Sequence, residues 1–343
     1  MKIAAVVSSP ENASARYRIG AYRESFRAAG VSVEILRRER RAWPLLRQIK
    51  SLSAYDAVIW QRHLLGPVAR RLLRRAARRL IYDFDDAVYL RPFDSTKPAE
   101  SAKRLSRFVG MVRTADEVWA GNRLLTAKAE SASRGAEVTC VPTTLLPTRY
   151  RAADHTHTGY LVRIVWIGSR ATSGAVVDAL PQLRACGDAR LRLICDAFPE
   201  LPGLDVEEVT WSAVGEASEL ARSDVGLSWL PRHPWSDGKC GLKTLQYMAA
   251  GLPVIGNRVG ANLQLIEDGV TGFLADTPEE FSAAFAKLAE NPSLRARLGA
   301  AGRRRVASDY SSAVWGPRLA SGFATRDADA AYPTARAVRR RTE

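Results

Sequence analysis

Short, nearly unbroken apolar runs alternate along the chain with longer stretches whose apolar residues recur at helical spacing. KIAAVVSS (2–9) predicts a buried strand. ASARYRIGAYRESFRAAG (13–30) predicts a helix closed by Gly30, a residue suited to the left-handed position after a helix. Further strands are expected at 31–36, 55–61, 80–84, 117–121 and 137–142, with a helix over 66–79 whose Pro67 falls in the tolerated first turn. The second half repeats the theme, with strands at 163–168, 190–197, 225–231 and 252–257. Strands apolar on both faces and joined by helices belong to parallel sheets covered on both sides. The pattern therefore predicts an α/β chain of two Rossmann-like domains facing across a cleft, at 1–152 and 160–310. The polar stretch RAADHTHTG (151–159) separates them. A helix over 311–325 is expected to pack back toward the first domain, and 326–343 reads as a disordered basic tail. Such sheets bind ligands at the carboxyl ends of their strands, so the strand-to-helix turns are where chemistry is expected.

Composition changes this picture little. The 343 residues are 46% hydrophobic and 25% charged, ordinary for a globular protein of two domains. No run reaches the ~18–20 apolar residues of a membrane span, and the N-terminus lacks the features of a signal peptide. Cys140, Cys186, Cys195 and Cys240 are dispersed, with no zinc or disulfide pattern, so a reducing cytoplasm is expected. No G-x-G-x-x-G follows the first strand, which removes the fingerprint of a nicotinamide enzyme.

Charge changes it more. The formal net charge is +15, yet residues 36–80 alone hold 13 basic and two acidic residues. The last ten residues hold four Arg and one Glu, and the rest is almost neutral. Such a patch attracts nucleic acid, anionic lipid or a polyanionic substrate, or is simply a solvated surface. Trp43, Leu45 and Leu46 lie among the arginines of 37–50. Val68, Leu72, Leu73, Ala76 and Ala77 recur at helical spacing among those of 66–79. That mixture has the composition of an interfacial contact with a membrane. No nucleic-acid module or interleaved aromatic platform is visible, so nucleic acid is not expected.

The most informative stretch is SDGKCGLKTLQYMAAGLPVI (236–255). A turn with Gly238 and Gly241 opens a helix that ends at Gly251 and leads into a strand. Amides at a helix start bind anions. Lysines there are unfavourable by ~0.3–1 kcal/mol, so Lys239 and Lys243 point to a bound phosphate or diphosphate, unless they simply face solvent.

This stretch resembles the group 1, GT4-like glycosyltransferases of GT-B fold, whose second domain carries G-L-x-x-L-E-x-M-A-x-G-x-P-V-I. Gly241, Leu242, Leu245, Met248, Ala249, Gly251, Pro253, Val254 and Ile255 match, as do Val259-Gly260, IEDGVTGFL (266–274) and 278–306. ASARYRI (13–19), DFDDA (83–87), ADEVWAGN (115–122) and VWIGSRATS (165–173) resemble a subgroup of these enzymes. The resemblance implies transfer of a sugar from a nucleotide-diphospho-sugar to a hydroxyl acceptor, with retention. The donor would be held by the second domain and the acceptor (a glycan, lipid-linked sugar or secondary metabolite) by the first, with no metal required. Gly168 and Ser169 fall where the family's turn meets the diphosphate, with Arg170 and Thr172 adjacent. Lys239, Cys240, Gly241, Leu242 and Lys243 fall on the phosphate-binding turn. The family's paired glutamates fall on Gly238 and Gln246. Gln246 would hold the ribose, and Asp237 is the neighbouring carboxylate.

In the first half, Asp83, Asp85 and Asp86 end a strand. Asp83 and Asp85 have the D-x-D form that holds a divalent cation in GT-A enzymes. Alternatively, Asp85 or Asp86 faces the acceptor as base or orienter, or the cluster is structural and pairs with Arg16 or Arg18. Arg16, Arg18, Gln61 and Arg62 are candidates for the acceptor side. His63 is a candidate base, whereas His155, His157 and His233 read as solvated loop residues. The resemblance also makes docking of 37–79 on the inner face of a membrane relevant, because GT-B enzymes with lipid-linked acceptors commonly dock through the first domain. A catalytically inactive sugar-nucleotide-binding or scaffold protein is the main alternative, and a basic nucleic-acid-binding protein a weaker one.

Overall fold

The computed structural model describes residues 1–156 and 161–329; His157 and residues 330–343 of the expected tail lie outside the described residues. The first half supplies β1 (Lys2–Val7), β2 (Ser32–Arg37), β3 (Ala57–Gln61), β4 (Leu80–Phe84), β5 (Glu117–Ala120) and β6 (Glu137–Cys140). They form one sheet in the order β2-β1-β3-β4-β5-β6, with every neighbour parallel. The second half supplies β7 (Arg163–Ile167), β8 (Arg190–Cys195), β9 (Asp205–Thr210), β10 (Val225–Ser228), β11 (Val254–Gly256) and β12 (Gly272–Leu274). These form a second parallel sheet in the order β12-β11-β10-β7-β8-β9. Two Rossmann-like α/β units result.

Burial explains the apolar runs. β3 (AVIWQ) and β4 (LIYDF) are buried along their whole length, which requires cover on both faces. On one side of the first sheet Trp60, Phe84 and Phe108 form a core; on the other, Ile3, Ile59 and Ile81 pack with Phe26 and Phe323. The second sheet is covered by Trp166, Leu193 and Phe281 on one side and by Val165, Leu245 and Met248 on the other.

The structure departs from the sequence pattern in four places. The expected helix over 13–30 is broken into Ala13–Arg18, a 3-10 turn at Gly20–Tyr22, and Arg23–Ala28. The break is at Ile19, with φ −123°, beside a glycine that weakens helix. The helix over 66–79 stops at Ala76, because Ala77 turns extended to lead into β4. Val68, placed on its apolar face by spacing, is 69% exposed. β9 and β12 have no counterpart in the expectation, and both are edge strands. The polar DVEEVT of β9 is only partly buried, and β12 spans three residues.

The chain crosses between the units twice, and the crossings touch. Leu145 and Ser311 form a parallel bridge. The helix Ser312–Asp329 then packs on the first unit, where the Phe323 ring lies 5.5 Å from Phe26 and 6.2 Å from Trp119.

Candidate functional site

A cleft of about 440 Å³ lies between the units, lined by the turns that follow the strands. This is an ordinary size for a small-molecule site. From the first unit come residues 11–14 after β1, Arg62 after β3, and Asp85 and Asp86 after β4. From the second come Gly168, Ser169 and Thr172 after β7, Trp211 after β9, and residues between Ser228 and Lys239 after β10. In the second sheet the strand order reverses between β7 and β10, so the crevice opens where such folds take their ligands.

The second unit's wall is built on the helix Leu242–Ala249. Its N-cap, Gly241, has φ +67°, and a Cβ there would lie 2.3 Å from the Leu265 side chain. Only glycine fits, and it lets the helix start turn into the cleft. Leu242, Lys243 and Gln246 line the space beyond it. Lys243 Nζ lies 3.4 Å from Thr172 Oγ1 and over the Trp166 ring, and among the described residues it has no carboxylate partner. Burial, with the nearby Lys239, pushes its pKa down from 10.5 to about 8. The Ser169–Thr172 turn is fixed by a reciprocal cap, in which Thr172 Oγ1 accepts from the Ser169 amide and the Ser169 side chain accepts from the Thr172 amide.

The first unit's wall holds the acidic cluster, and the structure separates its members. Asp83 is fully buried behind the wall. Arg18 Nε donates to it at 3.0 Å and Gln61 Nε2 at 2.9 Å, while Arg18 Nη1 donates to the Val141 carbonyl. Arg18 and Gln61 therefore hold the turn from behind and do not face the acceptor side. Asp83 is committed to them, which removes it from a D-x-D metal pair. Among the described residues no group of three or more His, Cys, Asp or Glu could hold a metal. Asp85 and Asp86 do line the cleft. Asp85 Oδ2 accepts from Ser14 Oγ at 2.6 Å. Its buried Oδ1 has no hydrogen-bond partner, with Arg62 Nε 3.5 Å away. Burial raises the Asp85 pKa, but Arg62, Arg18 and the Ser14 hydrogen bond together hold it below its ordinary value. Asp86 is bridged by Arg62 Nη2 from its own unit and by Lys239 Nζ, at 3.1 Å, from the other. Arg62 has φ +62°, a left-handed conformation that is strained for a side chain of this size. The surrounding ion pairs over-determine it.

The turn at 238–240 is clasped to the first unit. Asn122 Nδ2 donates to the carbonyls of Gly238 (3.2 Å) and Lys239 (3.0 Å), and Cys240 Sγ donates to the Asp85 carbonyl. A Cβ at Gly238 would lie 2.7 Å from the Ala87 Cβ and 2.8 Å from its amide nitrogen. The position of the family's first glutamate is thus pressed against backbone and has no room for a side chain. Asp237, the expected substitute, is exposed and outside the lining, as is Arg170. Burial pushes the Cys240 thiol pKa well up, so it is an inert packing group.

Gln246 is buried, and its Nε2 donates to Tyr17 Oη (3.1 Å) and Tyr150 Oη (3.3 Å). Tyr17 Oη donates to Glu216 Oε1, as does Arg16 Nη2 at 2.7 Å, and Trp211 Nε1 donates to Oε2. Glu216 is a charged hub of the cleft that the sequence reading missed, as it missed Asn122. Apart from Trp211, five residues before Glu216, the partners that tie them across the cleft lie 116 to 200 residues away along the chain, and no local pattern announces them. Asn122 alone left a trace, as the last residue of ADEVWAGN. His63, the candidate base, is outside the lining. Its ring faces Ser8 Oγ, and burial with Arg38 and Arg62 pushes its pKa down to about 3, leaving it a weak proton acceptor. His155 is buried on the Gly251 carbonyl and His233 caps a short helix, so neither is a solvated loop residue. Among the described residues no helix is long and apolar enough to cross a membrane.

Comparison with known proteins bears on the fold and on the sequence of the second unit. Residues 162–291 match the model of the group 1 glycosyl transferases. The human alpha-1,3/1,6-mannosyltransferase ALG2 is 39% identical over 80 residues, which is 23% of this chain and only about a fifth (19%) of that protein. Sucrose-phosphate synthase from Thermosynechococcus elongatus superposes with a TM-score of 0.77 at 15% identity, over 96% of this chain and 100% of that one. Anabaena HepE, in complex with UDP-glucose, does so with a TM-score of 0.68 at 15% identity, over 95% and 100% of the two chains. The described chain therefore has the GT-B fold, and its second unit matches the model of the group 1 glycosyl transferases over residues 162–291.

Proposed function

We propose that the protein is a glycosyltransferase that moves a sugar from a nucleoside-diphospho-sugar to a hydroxyl acceptor, with retention of configuration. The observation that carries this reading is Lys243. It is a cation in the cleft without a carboxylate partner among the described residues, beside a second lysine and the opening amides of the helix Leu242–Ala249. Like charges held together are unfavourable, and a diphosphate relieves both. HepE is crystallised with UDP-glucose, which makes uridine the first nucleoside to test. As the sugar–phosphate bond breaks, negative charge grows on the departing diphosphate. Lys243, Lys239 and the amides after Gly241 are already oriented to stabilise it.

The acceptor enters from the first unit. The Oδ1 of Asp85, which faces Arg62 but accepts no hydrogen bond among the described residues, offers a hydrogen-bond acceptor for its hydroxyl. Because neighbouring arginines hold Asp85 ionised, it is a weak base, and its role is to orient the hydroxyl. Gln246 and Glu216 form the floor where the ribose would lie, with Tyr17 and Tyr150 holding Gln246 in place.

A thermal-shift panel of nucleoside diphosphates and their sugars tests the reading. A ligand at 100 times its Kd stabilises by about 2.7 kcal/mol. One diphosphate is expected to raise the Tm in wild type and to do so much less in Lys243→Met; a panel without any shift overturns the assignment. Lys239→Ala is expected to lower transfer by ~10²-fold, as loss of an electrostatic donor does elsewhere. The absence of side-chain room at Gly238 favours a second reading, a sugar-nucleotide-binding protein without transfer. A Tm shift with neither transfer nor donor hydrolysis selects it.

A further inference from the structure

A second cationic site lies on the first unit, on the far side of helices that do not line the cleft. The helices Pro67–Ala76 and Ala102–Thr114 pack against each other. Their 23 residues carry eight cations and no acid. Between them runs a groove lined by Pro67, Arg70, Ser106, Arg107, Gly110 and Arg113. Nearby Arg74 has found Asp116. Among the described residues, Arg70 and Arg107 take part in no ion pair and no side-chain hydrogen bond, and Arg113 donates only from Nε, to the Ala132 carbonyl.

The groove has a built feature. The Arg70 guanidinium lies across Gly110, where a Cβ would stand 1.9 Å from Nη1. Glycine at that position lets the arginine of one helix lie flat on the other. Three arginines line one groove with no carboxylate partner among the described residues, and a planar fork of donors suits a phosphate.

We propose that this groove binds a phosphate group, with Arg70, Arg107 and Arg113 as its donors. It is separate from the cleft, whose lining shares none of these residues. The phosphate comes either free in solution or on a lipid headgroup. The lipid source is worth an arm of the test because exposed Val68 and Leu105 adjoin Pro67 and Ser106 in sequence.

Arginine footprinting with phenylglyoxal, read by mass spectrometry on the full chain, tests the proposal site by site. The cleft is first saturated with the nucleoside diphosphate that gives a thermal shift, or blocked in a Lys243→Met background if none does, so the two sites are read independently. One arm adds inorganic phosphate and the other adds phosphatidylcholine vesicles containing phosphatidylglycerol. Slower modification of Arg70, Arg107 and Arg113, with exposed Arg71 and Arg75 unchanged, is expected in at least one arm. Protection by phosphate alone identifies a soluble ligand; protection by vesicles alone identifies a headgroup. Arg107→Ala is expected to weaken that protection about tenfold, the effect of one charge-assisted hydrogen bond. Gly110→Ala, which displaces Arg70 without removing any charge, is expected to weaken it as well. Equal modification with and without both ligands overturns the proposal, as does uniform protection of every arginine.

Discussion

At the scale of single residues the two lysines differ, and the difference is measurable. Lys239 is already shared with Asp86, whereas Lys243 lies against the Thr172 hydroxyl and the Trp166 ring and has no carboxylate partner among the described residues. The free protein gives Lys243 a pKa of about 8. A bound diphosphate raises it, so binding takes up a proton once the pH exceeds about 8. The expected Kd for the nucleotide therefore weakens about tenfold from pH 7 to pH 9, and Lys243→Arg, always charged, removes that dependence. Stability of the empty protein runs the other way. The folded-state pKa lies below the ordinary 10.5, so the burial cost is full below pH 8 and is relieved between about 8 and 10.5. A calorimetric titration over this range checks the sign, and a flat Kd in wild type removes Lys243 from the phosphate site. Both lysines drew notice in the sequence because they flank the start of a helix, Lys239 in the glycine-rich turn before it and Lys243 in its first turn. Asp83 was legible only as one of three acids; that Arg18 claims it is a long-range fact that local sequence does not carry.

At the scale of elements, apolar strands buried on both faces were read almost to the residue, β4 (Leu80–Phe84) among them. The edge strands β2 and β6 were read as well, but β9 and β12 at the edges of the second sheet escaped: β9 is polar because an edge lacks a neighbour on one side and burial no longer demands apolar residues, and β12 spans only three residues. The turn at 236–241 was read from its glycines and lysines as a candidate anion-binding motif; its second feature, a clasp to the first unit, was not read. Its carbonyls at 238 and 239 are held by Asn122, and its glycine is held against Ala87. The contact at Gly238 is with backbone, which cannot retreat as a flexible side chain could. Gly238→Ala is expected to destabilise the protein by ~1–3 kcal/mol, the usual effect of overpacking, and to part Lys239 from Asp86. Urea unfolding gives the first number, and the salt dependence of nucleotide binding reports the second. Wild-type values for both mean that the clasp is not a constraint.

At the scale of the whole molecule, the charge divides by unit. The second unit is nearly neutral, and most of the excess is concentrated in residues 36–80 of the first, on its helices and on the segments that join them to the strands. What joins the units is the chain itself. The helix Ser312–Asp329 starts at the second crossing and ends on the first unit, so its packing couples the two cores. Phe323 is fully buried between Phe26 and Trp119, with the Arg79 guanidinium 4.5 Å from its ring. Phe323→Ala is expected to cost about 3–5 kcal/mol, the range for deleting a buried aromatic ring. If the helix is a strap on the first unit, that loss is local. Hydrogen exchange should then accelerate in β1 and in the helix Arg23–Ala28 while β7 and β10 keep their protection. Equal acceleration in both sheets would show instead that the two units unfold as one cooperative body, with the strap binding them across the cleft.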